Sequence, residues 1–161
     1  MHCCRKSWDL GIGRCLITTM KLTIYTNKLL PEWVGARAIM FLVLIRPKYR
    51  DDKGIHEHEY THVKQWYKWT GLSLLLFLLA GLAMPEYWQD IASASVLSTA
   101  VFAMLYKFST SFRLEAEAEA YAAQVNVGAD LDKMAKHLAN PNYNLGISVE
   151  QARRKIEEFL I

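Results

Sequence analysis

Cysteine is scarce and confined to one end of this chain: Cys3, Cys4 and Cys15 all fall within the first fifteen of its 161 residues. That distribution excludes a disulfide framework, and it fits a reduced, intracellular setting. An excess of one charge is lacking as well. Nineteen basic side chains stand against sixteen acidic ones, spread along the chain with no dense basic run, which argues against a groove that tracks phosphates and against a nucleic-acid partner. The leading stretch MHCCRKSWDLGIGRCLITTM has no continuous apolar segment of the kind a signal peptide needs. There is no internal repeat and no low-complexity linker. Met20 would make a natural start, so residues 1–19 are expected to be an N-terminal extension of little structural role, with 20–161 forming one domain.

What is present is apolar. Hydrophobic residues make up 52 % of the chain, at the upper end for a soluble protein, so a membrane-associated segment has to be considered. KLTIY alternates as a short strand does, and the apolar, partly β-branched run from Ala36 to Pro47 reads as one buried strand ended by proline. Asp51, Asp52 and Gly54 supply helix-start chemistry, and Ile55, Val63, Trp66 and Trp69 recur at roughly helical spacing. Two apolar stretches follow, GLSLLLFLLAGLAM and IASASVLSTAVFAMLYKF, separated by PEYWQD as in a helical hairpin over about residues 70–108. The Ala- and Glu-rich STSFRLEAEAEAYAAQVNV then predicts a strong helix capped by Ser or Thr. A further helix near ADLDKMAKHLA and a last one opened by a Ser148 and Gln151 capping box complete the chain. Short strands followed mostly by helices indicate an α+β fold in which helix predominates.

Three of the five histidines lie in GIHEHEYTHVKQWYKW. Within it, His58-Glu59-Tyr60-Thr61-His62 is an HExxH. On a helix the two histidines sit one turn apart on one face, so both imidazoles can reach one zinc ion, and Glu59 is placed to act as a base toward a zinc-bound water. His56 has Tyr60 four residues on, which makes it a solvated or outer residue rather than a ligand. A catalytic zinc needs a third protein ligand. A third histidine six residues after His62 is absent, since that position is Lys68, which turns attention to Glu115, Glu117 and Glu119. Glu115 and Glu119 share one helix face, and Glu117 lies nearly opposite.

HEYTH followed, after a helical insertion, by a Glu-x-x-Ala segment resembles the gluzincin metallopeptidases. LIRPKYRDDKG leading into HEHEYTHVKQW, with EAEAYAAQ closing the site, is similar to small metallopeptidases of bacteriophage and prophage genomes. The resemblance spans about residues 33–124. It implies a zincin-like core made of a short N-terminal sheet, an HExxH helix, the apolar hairpin and a Glu-bearing helix. It also implies a glutamate on the later helix as third ligand of Zn2+, with Glu117 ranked ahead of Glu115 and then Glu119. The chain departs from the stronger gluzincin pattern, which has Asp where Tyr121 or Glu119 stands. The implied activity is hydrolysis of peptide bonds in a peptide or protein substrate. The substrate would add as a strand beside a sheet edge near residues 38–45, a run that its apolar pattern equally marks as a core strand.

The hairpin leaves two readings open. Gly71 to Met84 is shorter than the roughly 20 residues that span a bilayer, which favours a buried core. Yet Lys64, Lys68, Lys107 and Arg113 flank its outer ends, while Glu86, Tyr87, Trp88 and Asp90 occupy its turn, as the positive-inside rule and an aromatic belt require. Residues 69–88 are then just long enough to span. The expected location is the cytoplasm or the cytoplasmic face of the inner membrane. Beside the peptidase stand two other functions: a zincin scaffold that binds metal or a partner without turnover, and a membrane-hairpin protein whose histidines are incidental.

Overall fold

A three-stranded sheet, β1 (Leu22–Tyr25), β2 (Ala36–Ile39) and β3 (Leu42–Ile45), opens the part of the chain described by the computed structural model, which covers residues 20–32 and 34–160. The expected extension over residues 1–19 lies outside the described residues. Strand order is β1-β3-β2, with β1 parallel and β2 antiparallel to β3. Val43, Leu44 and Ile45 are buried in succession, as befits a central strand covered on both faces.

The run expected to be one buried strand is therefore a hairpin. The chain reverses at Met40 and Phe41, where Met40 takes a left-handed φ of 58°. Because both arms are apolar, the reversal leaves no polar interruption in the sequence, and the turn carries neither Gly nor Asn to announce itself. Arg46 fastens the preceding loop to the end of β3. Its guanidinium donates to the carbonyls of Val34, Leu30 and Pro31 at 2.7, 3.2 and 2.7 Å, using the fixed fork of donors that only arginine offers.

Helix α1 runs unbroken over 31 residues, Lys53–Ala83. It begins at Asp52, whose side chain accepts from the Ile55 N–H at 3.1 Å, satisfying an amide that has no partner within the helix. No proline follows until Pro85, so the histidine-bearing segment and the first apolar stretch are one rod, about 45 Å long at 1.5 Å per residue. Beyond a 3-10 turn at Pro85–Tyr87, the chain returns through α2 (Trp88–Ala94), a 3-10 segment (Ser95–Ala100) and α3 (Val101–Phe108). Trp88 lies so close to Gly81 that a side chain there would collide with its ring. Nearer the base, the Trp66 indole N–H donates to the Thr99 carbonyl at 2.8 Å.

Helix α4 (Thr110–Asn126), capped by Ser109, packs along the first half of α1. Its opposite side meets α5 (Leu131–Leu138) and α6 (Val149–Glu157), the latter opened by the Ser148 and Gln151 capping box. Ala118, Tyr121, Ala122, Met134, Leu138 and Ile156 form the core of that C-terminal unit. A second cluster, Val43, Ile45 and Val63, joins the sheet to α1. The result is an α+β fold dominated by helix, with α1 and α4 held between the two cores.

Leu138 is fully buried in the C-terminal cluster. Leu138→Ala is expected to cost about 2–5 kcal/mol through lost burial and the cavity left behind, read as a lowered midpoint in denaturant unfolding. An unchanged midpoint would mean that this cluster does not support the fold.

Candidate metal centre

Helical spacing puts His58 and His62 on the inner face of α1, one turn apart, with ring centroids 5.0 Å from each other. From α4, Glu117 inserts its carboxylate between them: Oε2 lies 3.5 Å from His58 Nε2 and Oε1 lies 3.5 Å from His62 Nε2. These residues offer three ligand atoms within 4.8 Å of one another, close enough to hold one metal ion. The helix pair achieves this by placing small residues around the acid. Ala116 and Ala120 are buried, and the backbone of α4 comes within hydrogen-bonding reach of an α1 side chain.

The three glutamates separate by face. Glu117 is only 2 % exposed, and its neighbours two residues away on either side point elsewhere. Glu115 is exposed and pairs with Lys155 of α6. Glu119 accepts a hydrogen bond of 2.8 Å from the Gln65 amide. Neither Glu115 nor Glu119 joins the group. His56 also stands outside it, its Nε2 bonded to the Arg50 carbonyl at 2.8 Å and its ring edge against Tyr25.

The surroundings of Glu117 suit a cation. Its Oε1 accepts from the Tyr106 hydroxyl, whereas its Oε2 is buried without a hydrogen-bond partner. A buried carboxylate oxygen left alone is costly, and a metal shared with the two Nε2 atoms would satisfy it. Burial alone would raise the Glu117 pKa, but the close approach of His62 and His58 holds it well below the usual carboxylate range. Burial likewise pulls His62 down, yet Glu117 outweighs it and, with Glu59 and Gln65, pushes His62 up to about 9. The negative charge that raises His62 is the same charge that would attract a cation.

Glu59 lies beside the group, 7 % exposed. Burial raises its pKa, opposed by His58 and His62, reinforced by Glu117, and opposed again by a hydrogen bond from the Ala38 backbone N–H. The base candidate is thus tied to β2, an edge strand of the sheet.

Two neighbours of the site escaped the reading of the sequence. Gln65 stands three residues after His62 on the same helix face, so its spacing was a usable signal. Tyr106 lies within an apolar stretch and had none; only the return of α3 alongside α4 brings its hydroxyl to Glu117. Tyr121 sets its ring edge-on to His58, with centroids 4.5 Å apart, and shares a 2.7 Å hydrogen bond with Tyr143.

No protein-family model, curated protein or solved structure matches this chain. Metal content measured by mass spectrometry on protein purified without added metal is expected to be about one ion per chain in the wild type and in Glu115→Ala. It should fall to background in His62→Ala and Glu117→Ala. Full metal retention by folded Glu117→Ala would exclude this carboxylate as a ligand.

Proposed function

We propose that this chain is a zinc-dependent peptidase with a gluzincin-like site: His58, His62 and Glu117 hold the metal, and Glu59 is the general base. The observation that carries the reading is the convergence of two imidazoles and one carboxylate from separate helices, with a second carboxylate beside them whose pKa is raised by burial. Two His and one Glu form a donor set suited to zinc. When bound, zinc supplies Lewis acidity that activates water and polarises a peptide carbonyl.

The remaining chemistry belongs to the chain. Glu59 takes a proton from the attacking water as its oxygen bonds to the carbonyl carbon, then delivers that proton to the departing amide nitrogen as the C–N bond breaks. Its raised pKa suits both acceptance and delivery. Among the described residues β2 is an edge strand, the position at which an extended peptide can add. The near-complete burial of Glu59 and Glu117 favours, as a second reading, a scaffold that holds metal without turnover. Glu59→Gln separates the two. It is expected to lower peptide hydrolysis by about 10²–10⁴-fold while metal content stays at the wild-type level; unchanged hydrolysis would exclude Glu59 as base, and no hydrolysis by wild type across a broad peptide library would favour the scaffold.

The hairpin adds a location. Two helical segments, Lys53–Ala83 and Pro85–Phe108, are long and apolar enough to cross a membrane, and only 22 % and 6 % of their most apolar windows are buried within the protein. A core helix would be mostly covered. Here Leu72, Leu75, Leu76, Leu79 and Leu82 face outward, with Val96, Leu97 and Met104 on the returning leg. Apolar surface of that extent needs a cover, and a lipid bilayer fits the pattern at both ends. Lys64, Lys68 and Lys107 are exposed near the metal group, and Tyr87 and Trp88 at the far turn. The hairpin is read as seated in the membrane from about residue 70 to 108, with the metal group on the cytoplasmic side. In sucrose-gradient flotation the protein is expected to rise with liposomes and to resist carbonate extraction. Monomeric solubility without detergent would exclude this placement.

A further inference from the structure

Gln65 connects groups from both metal-bearing helices. It is 5 % exposed. Its amide nitrogen donates to the Ala116 carbonyl at 3.0 Å and to Glu119 Oε2 at 2.8 Å, and its Oε1 lies 2.9 Å from His62 Nδ1. A carbonyl and a carboxylate can only accept, so the NH2 group has to face them. The amide cannot flip without setting its oxygen against two acceptors. Oε1 therefore faces His62, and the Nδ1 of that ring must carry a hydrogen. With Nδ1–H donating, the lone pair available to a metal is on Nε2, the nitrogen turned toward Glu117.

We infer that Gln65 is a positioning residue for the metal: together with Glu119 it selects the His62 tautomer that binds through Nε2 and locks the ring toward Glu117. This rests on the metal reading above and adds a role for two residues outside the ligand set. Glu119 contributes as the charged end of a relay, carboxylate to amide to imidazole, which makes His62 a better donor to a cation. The same contacts brace α1 against α4. Positioning and bracing are separable because they use opposite ends of the Gln65 amide.

Gln65→Met removes both ends. Gln65→Glu keeps an acceptor facing His62 Nδ1–H but turns a carboxylate oxygen toward the Ala116 carbonyl and Glu119. If Gln65 positions His62, zinc affinity by chelator competition should fall about 10–100-fold in Gln65→Met. It should stay closer to wild type in Gln65→Glu, even though Gln65→Glu is the less stable of the two by thermal unfolding. A zinc affinity that follows stability instead, with Gln65→Glu binding more weakly than Gln65→Met, would reduce Gln65 to a brace and overturn the inference. Should either variant fail to fold, nitrogen-15 spectra of zinc-loaded wild type decide it. The expected result is His62 metallated at Nε2 with a slowly exchanging Nδ1–H, and coordination through Nδ1 would overturn it. Zinc binding by wild type with unchanged affinity in Gln65→Met removes this inference alone, whereas no zinc binding by wild type removes the metal reading with it.

Discussion

A single buried carboxylate organises the middle of this protein. Glu117 sits almost wholly out of water between two imidazoles of another helix. Burying a carboxylate this deeply is unfavourable unless positive charge and donors surround it. His58, His62 and the Tyr106 hydroxyl meet that requirement from α1 and α3. The arrangement of α1, α3 and α4 can thus be understood as the way the chain surrounds one acid with donors. Its Oε2 lies 3.5 Å from His58 Nε2 and has no hydrogen-bond partner among the described residues.

Around that acid the fold uses rigid parts. The sheet and the first half of α1 share one cluster, and α4, α5 and α6 share another. The metal group lies where the two meet. Gln65 crosses the same junction from α1 to α4. A site assembled from helices anchored in different cores depends on such cross-ties, since a shift between the cores would part the three side chains. Glu59 lies buried beside the group, where the Ala38 backbone of β2 acts against the rise that burial gives its pKa.

The long helix α1 links this junction to the apolar hairpin. Its first half buries polar side chains such as His58, Glu59 and Gln65, and its second half carries leucines on most sides with little protein to cover them. The change falls near Thr70, within one unbroken helix. A helix apolar all round has to be covered by protein or lipid, and the described residues cover little of this one. Tyr106 shows that the returning leg is also part of the site, because it brings a hydroxyl to Glu117 from within an otherwise apolar segment.

Much of this was legible in the residues. HExxH on a helix placed His58 and His62 on one face through the 3.6-residue period, and the same period separated Glu117 from Glu115 and Glu119. Helix starts at Asp52, Ser109 and Ser148 could be recognised because capping is local chemistry. The turn at Met40 could not be read, since apolar arms on both sides concealed the reversal. Nor could local pattern decide which glutamate faces the histidines, whether the leucines of the hairpin are covered, or that Tyr106 reaches Glu117. Those outcomes depend on how α3 and α4 pack against α1, contacts between residues far apart in the chain, which no short-range periodicity encodes. By itself the sequence determined the helices, their caps and the chemistry each face carries; only the tertiary structure decided which faces meet, because burial is a property of the packed pair of helices and not of either helix alone.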